Sequence, residues 1–189
     1  RLEGAGRLPT RWYGYEGGDA GVLATSIPEI YRKLSPAGAR IKALDQWVRM
    51  GGKLVLLVGS QADEILAKDA PLARFAPGRL EEIVTLRRTS ALEAYAGGSM
   101  PVPGLGRGSS AGLRVPRLVD VEGTIEVEES KVPLVIRAPY GLGQVVFVAV
   151  DLDRPPLKGW SDRGRLINKL LDRSPAKAEE GPESGSLMH

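Results

Sequence analysis

Three short polar runs stand directly after apolar ones, and they hold the side chains best placed to do chemistry. Thr25-Ser26 follows Ala20-Gly21-Val22-Leu23-Ala24, Gly59-Ser60-Gln61 follows Lys53-Leu54-Val55-Leu56-Leu57-Val58, and Asp151-Leu152-Asp153 follows Gln144-Val145-Val146-Phe147-Val148-Ala149-Val150. Short continuous apolar runs of this kind suit strands buried on both faces. In an open sheet of parallel strands, ligands bind beyond the carboxyl ends. Thr25, Ser26, Gly59, Ser60, Gln61, Asp151 and Asp153 are therefore expected to converge on one polar pocket. There Ser60, Gln61 and the backbone N–H groups after them would receive a ligand oxygen near a helix N-terminus. Asp151 and Asp153 share a face in extended geometry, where they could hold Mg²⁺ or Ca²⁺ or act as acid and base. Such a metal needs further ligands, and Asp63 and Asp19 are the nearest candidates. The commoner uses of these residues are structural: Ser60 as the cap of the next helix, Gln61 as a loop partner, and the aspartates as turn caps beside Arg154-Pro155-Pro156.

What the chain lacks narrows the chemistry further. Its 189 residues contain no cysteine and one histidine, His189 at the very end. A Ser-His-Asp triad, a Cys-His dyad and a multi-histidine metal site are excluded within this chain, because each needs an imidazole held by packing. No cofactor and no resident metal is expected. The net charge is +3, and the basic residues are scattered. Arg87-Arg88, with Arg74 and Arg79 shortly before, comes closest to a cluster, but no aromatic residues interleave to stack bases. Nucleic acid is not an expected partner. Gly104-Leu105-Gly106-Arg107-Gly108-Ser109-Ser110 has the glycines of a phosphate-cradling loop but not its preceding strand, following helix or Lys-Ser/Thr end, and reads as a mobile surface loop. No apolar run approaches the ~20 residues of a membrane span. The chain starts at Arg1 and suggests a piece of a longer protein, with any membrane attachment through segments outside it and the compartment left open.

The elements that must position these residues follow from periodicity. Residues 1–18 read as an N-terminal lead-in anchored by Trp12, Tyr13 and Tyr15, 19–172 as the folded domain, and 173–189 as a disordered linker or tail. Ala20 to Ala24 is a short buried strand. Ser35 as N-cap and Pro36 at the first helical position open a helix with Ala37, Ile41, Leu44 and Val48 on one face, closed by Gly51-Gly52. Strand, helix and the apolar strand from Lys53 make a βαβ unit. Ala62 to Ala70 suits a short helix, Leu80 to Leu86 an edge strand, Ser90 to Ala96 another helical turn or two, and Gly97 to Gly112 a loop. The last third is β-rich: Val119 to Glu128, then a hairpin of Pro133–Arg137 and Gln144–Val150 across Pro139-Tyr140-Gly141-Leu142-Gly143. A helix over Asp162 to Leu171, stapled to the sheet by Trp160, closes the domain.

Leu34-Ser35-Pro36 through Ala43-Leu44-Asp45-Gln46-Trp47-Val48-Arg49-Met50-Gly51-Gly52-Lys53-Leu54-Val55-Leu56, with Tyr140-Gly141-Leu142-Gly143-Gln144-Val145-Val146-Phe147 and Asp151-Leu152-Asp153, resembles the class I glutamine amidotransferase-like superfamily, in its divergent branches that lack amidotransferase activity. The resemblance covers about Asp19 to Asp172. It implies an α/β fold, a flavodoxin-like three-layer α/β/α sandwich with a mostly parallel central sheet and a C-terminal β-hairpin. It also implies, as in some relatives, a place inside a large membrane-anchored bacterial protein. True members place a cysteine on the elbow that here is Gly59-Ser60-Gln61-Ala62, and a His-Glu pair after a late strand. Both are missing, and a serine hydroxyl without a base is a poor nucleophile, so glutamine hydrolysis by that mechanism is excluded. The expectation is a non-catalytic interaction or scaffolding domain with a protein partner or flanking domains of its own chain. The alternative is a small-molecule or divalent-metal-binding hydrolase-type enzyme using Ser60, Gln61, Asp151 and Asp153.

Overall fold

The computed structural model describes residues 2–3 and 19–172. The rest of the expected lead-in, including Trp12, Tyr13 and Tyr15, and the expected tail from 173 lie outside the described residues. The centre is a six-stranded sheet of strands β1 (Leu2–Glu3), β2 (Ala20–Ala24), β3 (Lys53–Leu57), β8 (Gly143–Val148), β7 (Val132–Tyr140) and β6 (Thr124–Glu129), in that spatial order. The pairings from β1 to β8 are parallel; β8–β7 and β7–β6 are antiparallel. Every residue from Leu54 to Val58 and from Val145 to Val150 is buried. Two runs with no polar face can only sit side by side in the middle of a covered sheet.

The helices are few and short. Only α2 (Ala39–Arg49) has the length of a crossover helix, against four residues each in α1 (Glu29–Arg32) and α3 (Ala62–Ile65). Helices α4 (Ser90–Ala96) and α5 (Arg163–Leu170) pack on each other, and α4 also packs on β6. Strands β4 (Arg79–Leu86) and β5 (Leu113–Val119) form a separate antiparallel ribbon, with β5 lying on β7. The flavodoxin-like three-layer sandwich with a mostly parallel sheet is therefore corrected to a mixed α/β fold. After the one βαβ unit, the chain between β3 and β8 makes a ribbon and two antiparallel strands in place of further βα repeats. The expected hairpin is observed, with its second strand in the central sheet, where it lies beside β3.

Two local readings change with the fold. Ser35 and Pro36 do not open α2: its N-cap is Gly38, and Ser35 instead accepts the Gly38 N–H at its carbonyl (2.8 Å) and the Ala37 N–H at its hydroxyl (3.3 Å). Gly38 thus stands before the helix rather than inside it. The glycines of Tyr140-Gly141-Leu142-Gly143 do more than turn a hairpin. Leu142 N–H donates to the Arg49 carbonyl (2.8 Å) and Gln144 N–H to that of Gly52 (3.1 Å), pressing Gly143 onto the backbone at the α2–β3 turn, where a side chain would collide with the Val48 and Gly52 carbonyls. The turn itself is closed by Trp47, whose ring lies 2.5 Å from where a Gly52 Cβ would be. These contacts tie β8 to β3 and so align the strand ends that carry the polar residues.

Candidate functional site

Strands β2, β3 and β8 run parallel in register, Ala24 beside Leu57 and Leu57 beside Val148, so the residues after each emerge at one end of the sheet. Thr25 is held there by its backbone N–H (3.2 Å) and its hydroxyl (2.8 Å), both donating to the Leu57 carbonyl. Ser26 donates its hydroxyl to Asp153 Oδ2 at 2.5 Å. Ser60 donates both its backbone N–H and its hydroxyl to Asp151 Oδ2, each at 2.9 Å. The expected convergence is met pairwise, β2 end to β8 end and β3 end to β8 end. Gly59 is a requirement of that arrangement: a Cβ there would lie 2.5 to 2.6 Å from the oxygens of the Asp151 carboxylate.

The particular roles foreseen for these residues are not those observed. Ser60 caps no helix, because its hydroxyl is engaged by Asp151, and the N-cap of α3 is Gln61, without a side-chain cap bond. Gln61 serves through its carbonyl, which accepts the N–H groups of Glu64 (3.2 Å) and Ile65 (3.1 Å); among the described residues its side chain caps nothing. Asp151 and Asp153 lie beyond the end of β8 in a turn, and each binds a different serine. Asp63 is turned onto the backbone N–H of Glu64, and Asp19 precedes β2 at the opposite end of the strand. No group of three or more acidic or histidine residues able to hold a metal ion occurs among the described residues.

Asp151 is 7 % exposed, and one oxygen of each carboxylate, Asp151 Oδ1 and Asp153 Oδ1, is buried without a hydrogen-bonding partner. Two arginines come near but bind carbonyls instead: Arg163 donates to Leu152 (2.5 Å) and Arg154 to Ser26 (3.5 Å). Tyr31, buried in α1, donates its hydroxyl to the Ala24 carbonyl at 2.7 Å; burial and the Asp153 charge push its pKa up to about 12. An adjacent cleft of about 140 Å³ is mostly apolar, lined by Pro28, Tyr31, Ile65, Pro71 and Leu72 with the Arg32–Glu64 pair among its walls, and none of the strand-end aspartates or serines lines it.

Two further polar centres went unforeseen. Asp162, 7 % exposed, accepts the Met100 N–H (3.2 Å), and Trp160 donates its indole N–H to the Met100 carbonyl (2.9 Å). Trp160 therefore anchors the segment after α4 as well as covering the core. At the other end of the sheet, Arg137 joins Glu126, Gln144 and Asp172, and Lys53 also pairs with Asp172. Burial raises the Glu126 carboxyl, but hydrogen bonds from Arg137 and Tyr95 outweigh it and hold the group below its usual value.

The fold is similar to two solved structures. One is the cytoplasmic protein STM3548 from Salmonella typhimurium, with TM-score 0.60 and 14% identity over 87% of this chain and 75% of that one. The other is the cytoplasmic protein STM1381 from Salmonella typhimurium LT2, with TM-score 0.61 and 17% identity over 89% of this chain and 77% of that one. At such identities the likeness concerns the fold. A looser match, TM-score 0.45 and 18% identity, joins 80% of this chain to 24% of the exo-beta-1,4-mannosidase Op5Man5 from Opitutaceae bacterium strain TAV5, and does not establish a common fold. No protein-family model matches the chain, and no curated protein matches it in sequence.

Proposed function

We propose that this chain is a non-catalytic, amidotransferase-like interaction domain that works beside other segments of a larger protein. The reading is carried by the engagement of both Ser60 donors with Asp151 Oδ2 at 2.9 Å. A nucleophile elbow needs a base to take the hydroxyl proton and free backbone N–H groups aimed at the oxyanion. Here both the Ser60 hydroxyl and its backbone N–H are spent on one carboxylate oxygen of the protein itself. The strand-end residues support the junction of β2, β3 and β8 and leave no activated group. The membrane-associated bacterial context implied by the resemblance belongs to the same proposal; no helix among the described residues is long and apolar enough to cross a membrane.

One observation favours a second reading, a small-ligand or divalent-cation site: the unpartnered Asp151 Oδ1 and Asp153 Oδ1. A thermal-shift screen against divalent cations, nucleotides, sugars and amino acids separates the two, because a ligand of the native state raises its melting temperature. The interaction reading expects no shift. A shift that disappears in Asp151→Asn and Ser60→Ala replaces it with the ligand site.

A further inference from the structure

Most described arginines are engaged. Arg32 pairs with Glu64, Arg49 with Asp45, Arg79 with Asp120, Arg117 with Glu82 and Arg137 with Glu126, while Arg154 and Arg163 bind carbonyls. Arg40, Arg87, Arg88, Arg107 and Arg114 differ: all five are exposed, and among the described residues their guanidinium groups have no ion-pair or hydrogen-bonding partner. Four of these, all but Arg40 on α2, come from segments that lie at one end of the β4–β5 ribbon. Arg114 lies on β5 opposite Thr85, so both side chains share a face of the ribbon. Arg87 and Arg88 follow the last pair of that ladder, Leu86 with Leu113. Arg107 comes from the glycine-rich loop, which folds back so that Gly106, at φ +118°, donates its N–H to the Arg87 carbonyl at 3.2 Å.

The arrangement keeps this charge open. Glu93 and Glu129, which reach the start of α4 beside Arg88, are turned inward. Glu93 accepts from Val102 N–H (3.0 Å) and the Thr89 hydroxyl (2.8 Å), and Glu129 from Ala91 N–H (2.8 Å). Four like charges at a ribbon tip repel one another, and a protein fragment carrying carboxylates removes that repulsion while matching the guanidinium fork bidentately.

We propose that the tip of the β4–β5 ribbon and the 104–110 loop form a docking surface for an acidic segment of a protein partner. This deepens the interaction-domain reading and rests on it. Charge complementarity selects the partner's sign. A single-stranded nucleic acid would call for aromatic platforms among the arginines, and the tip has none: Arg87, Arg88, Arg107 and Arg114 are joined there by Gly, Ser, Leu and Thr.

The test is fluorescence anisotropy of the full chain with a labelled peptide of alternating Glu and Gly, at low and at raised salt. An oligothymidylate of equal charge and vesicles of phosphatidylcholine with phosphatidylserine serve as the other arms. The expected result is peptide binding that weakens with salt and falls at least about tenfold in R87Q/R88Q/R107Q/R114Q. Lysine at the same four positions, which keeps the charge but loses the bidentate fork, binds more weakly than arginine and more tightly than glutamine, and R40Q/K42Q on α2 leaves binding unchanged. No binding by the natural chain, equal binding by the glutamine variant, or preference for the oligonucleotide or the vesicle overturns the assignment. The interaction-domain reading fails separately: a small ligand that shifts the melt through Asp151 defeats that reading whatever the peptide does.

Discussion

The end of the parallel strands and the tip of the β4–β5 ribbon are both polar, yet they treat their polar groups in opposite ways. At the strand ends, hydroxyls, backbone N–H groups and carboxylates from three segments are closed on each other, with Gly59 left bare so that Asp151 can lie over it. At the ribbon tip, backbone contacts bring together the segments that carry four exposed arginines, whose guanidinium groups have no partner among the described residues. Burial favours such closure, since a polar group removed from water gains from a partner inside the protein, although Asp151 Oδ1 and Asp153 Oδ1 are left without one. An exposed arginine is under no such demand, and four of them left unpaired are a surface that the fold does not need. The position most suggestive of chemistry in the sequence is thus largely closed on itself, and the unpaired positive charge lies in a region without catalytic pattern.

The sharpest way to break this comparison is Gly59→Val. Its side chain must displace a buried, doubly hydrogen-bonded carboxylate between two central strands, and a loss of about 3 kcal/mol is expected, on the order of 6–12 °C in melting temperature for a chain of this size. A melt like that of the natural chain would mean that Asp151 does not organise the strand ends. Next comes alkali. Tyr31 belongs to the closed region, and its folded pKa of about 12 stands above the ordinary value of 10.0. The protonated hydroxyl is therefore favoured in the fold: its stabilisation is complete below pH 10 and fades as pH rises through 12. A loss of roughly 2 kcal/mol across that window is expected, read from denaturant melts on either side of it. Tyr31→Phe should flatten that part of the profile, while Tyr95 and Tyr140, also pushed up to about 12, contribute what remains.

Ser60→Ala tests the same region more gently. It removes the hydroxyl bond to Asp151 and keeps the backbone N–H bond, so a loss of about 1 kcal/mol, 2–4 °C, is expected. Acidic-peptide binding should be unchanged. A much larger loss would show that the hydroxyl organises more than this one contact.

The central strands were readable because their signal is local, but their order, with β8 seated between β3 and β7, was not. Leu54 to Val58 and Val145 to Val150 have no polar face, and the glycine pair before β3 leaves one compact way to return from α2. The ribbon was not readable as a pair. Strand β4 carries exposed Glu81 and Glu82; its partner lies beyond a long glycine- and proline-rich segment and contains Pro116, which argues against a strand unless it lies in an edge or an isolated ribbon. Their match, Glu82 with Arg117 and Ile83 with Pro116, is a register fact visible only in space. The same holds for the site. Strand ends could be named from the chain, but the choice of Asp151 by Ser60 and of Asp153 by Ser26 spans 91 and 127 residues. The surplus of α/β character read into the chain came from treating one βαβ unit as the start of a repeat, whereas α1 and α3 stop after four residues.

The smallest expected effect sharpens the comparison from the other side. Replacing Arg87, Arg88, Arg107 and Arg114 together by glutamine removes no ion pair and no side-chain hydrogen bond among the described residues, and the backbone bond from Gly106 to the Arg87 carbonyl survives any side-chain change. Exposed substitutions of this kind shift stability by no more than about 0.5 kcal/mol each. Here the relief of mutual repulsion works in the stabilising direction, most visibly at low salt where like charges are least screened. The melt of the quadruple variant should therefore match the natural chain at high salt and equal or exceed it at low salt. A clear loss of stability at both would mean that the guanidinium groups hold the loop against the ribbon, which would make the tip a structural clasp like the strand ends and remove the contrast between the two regions.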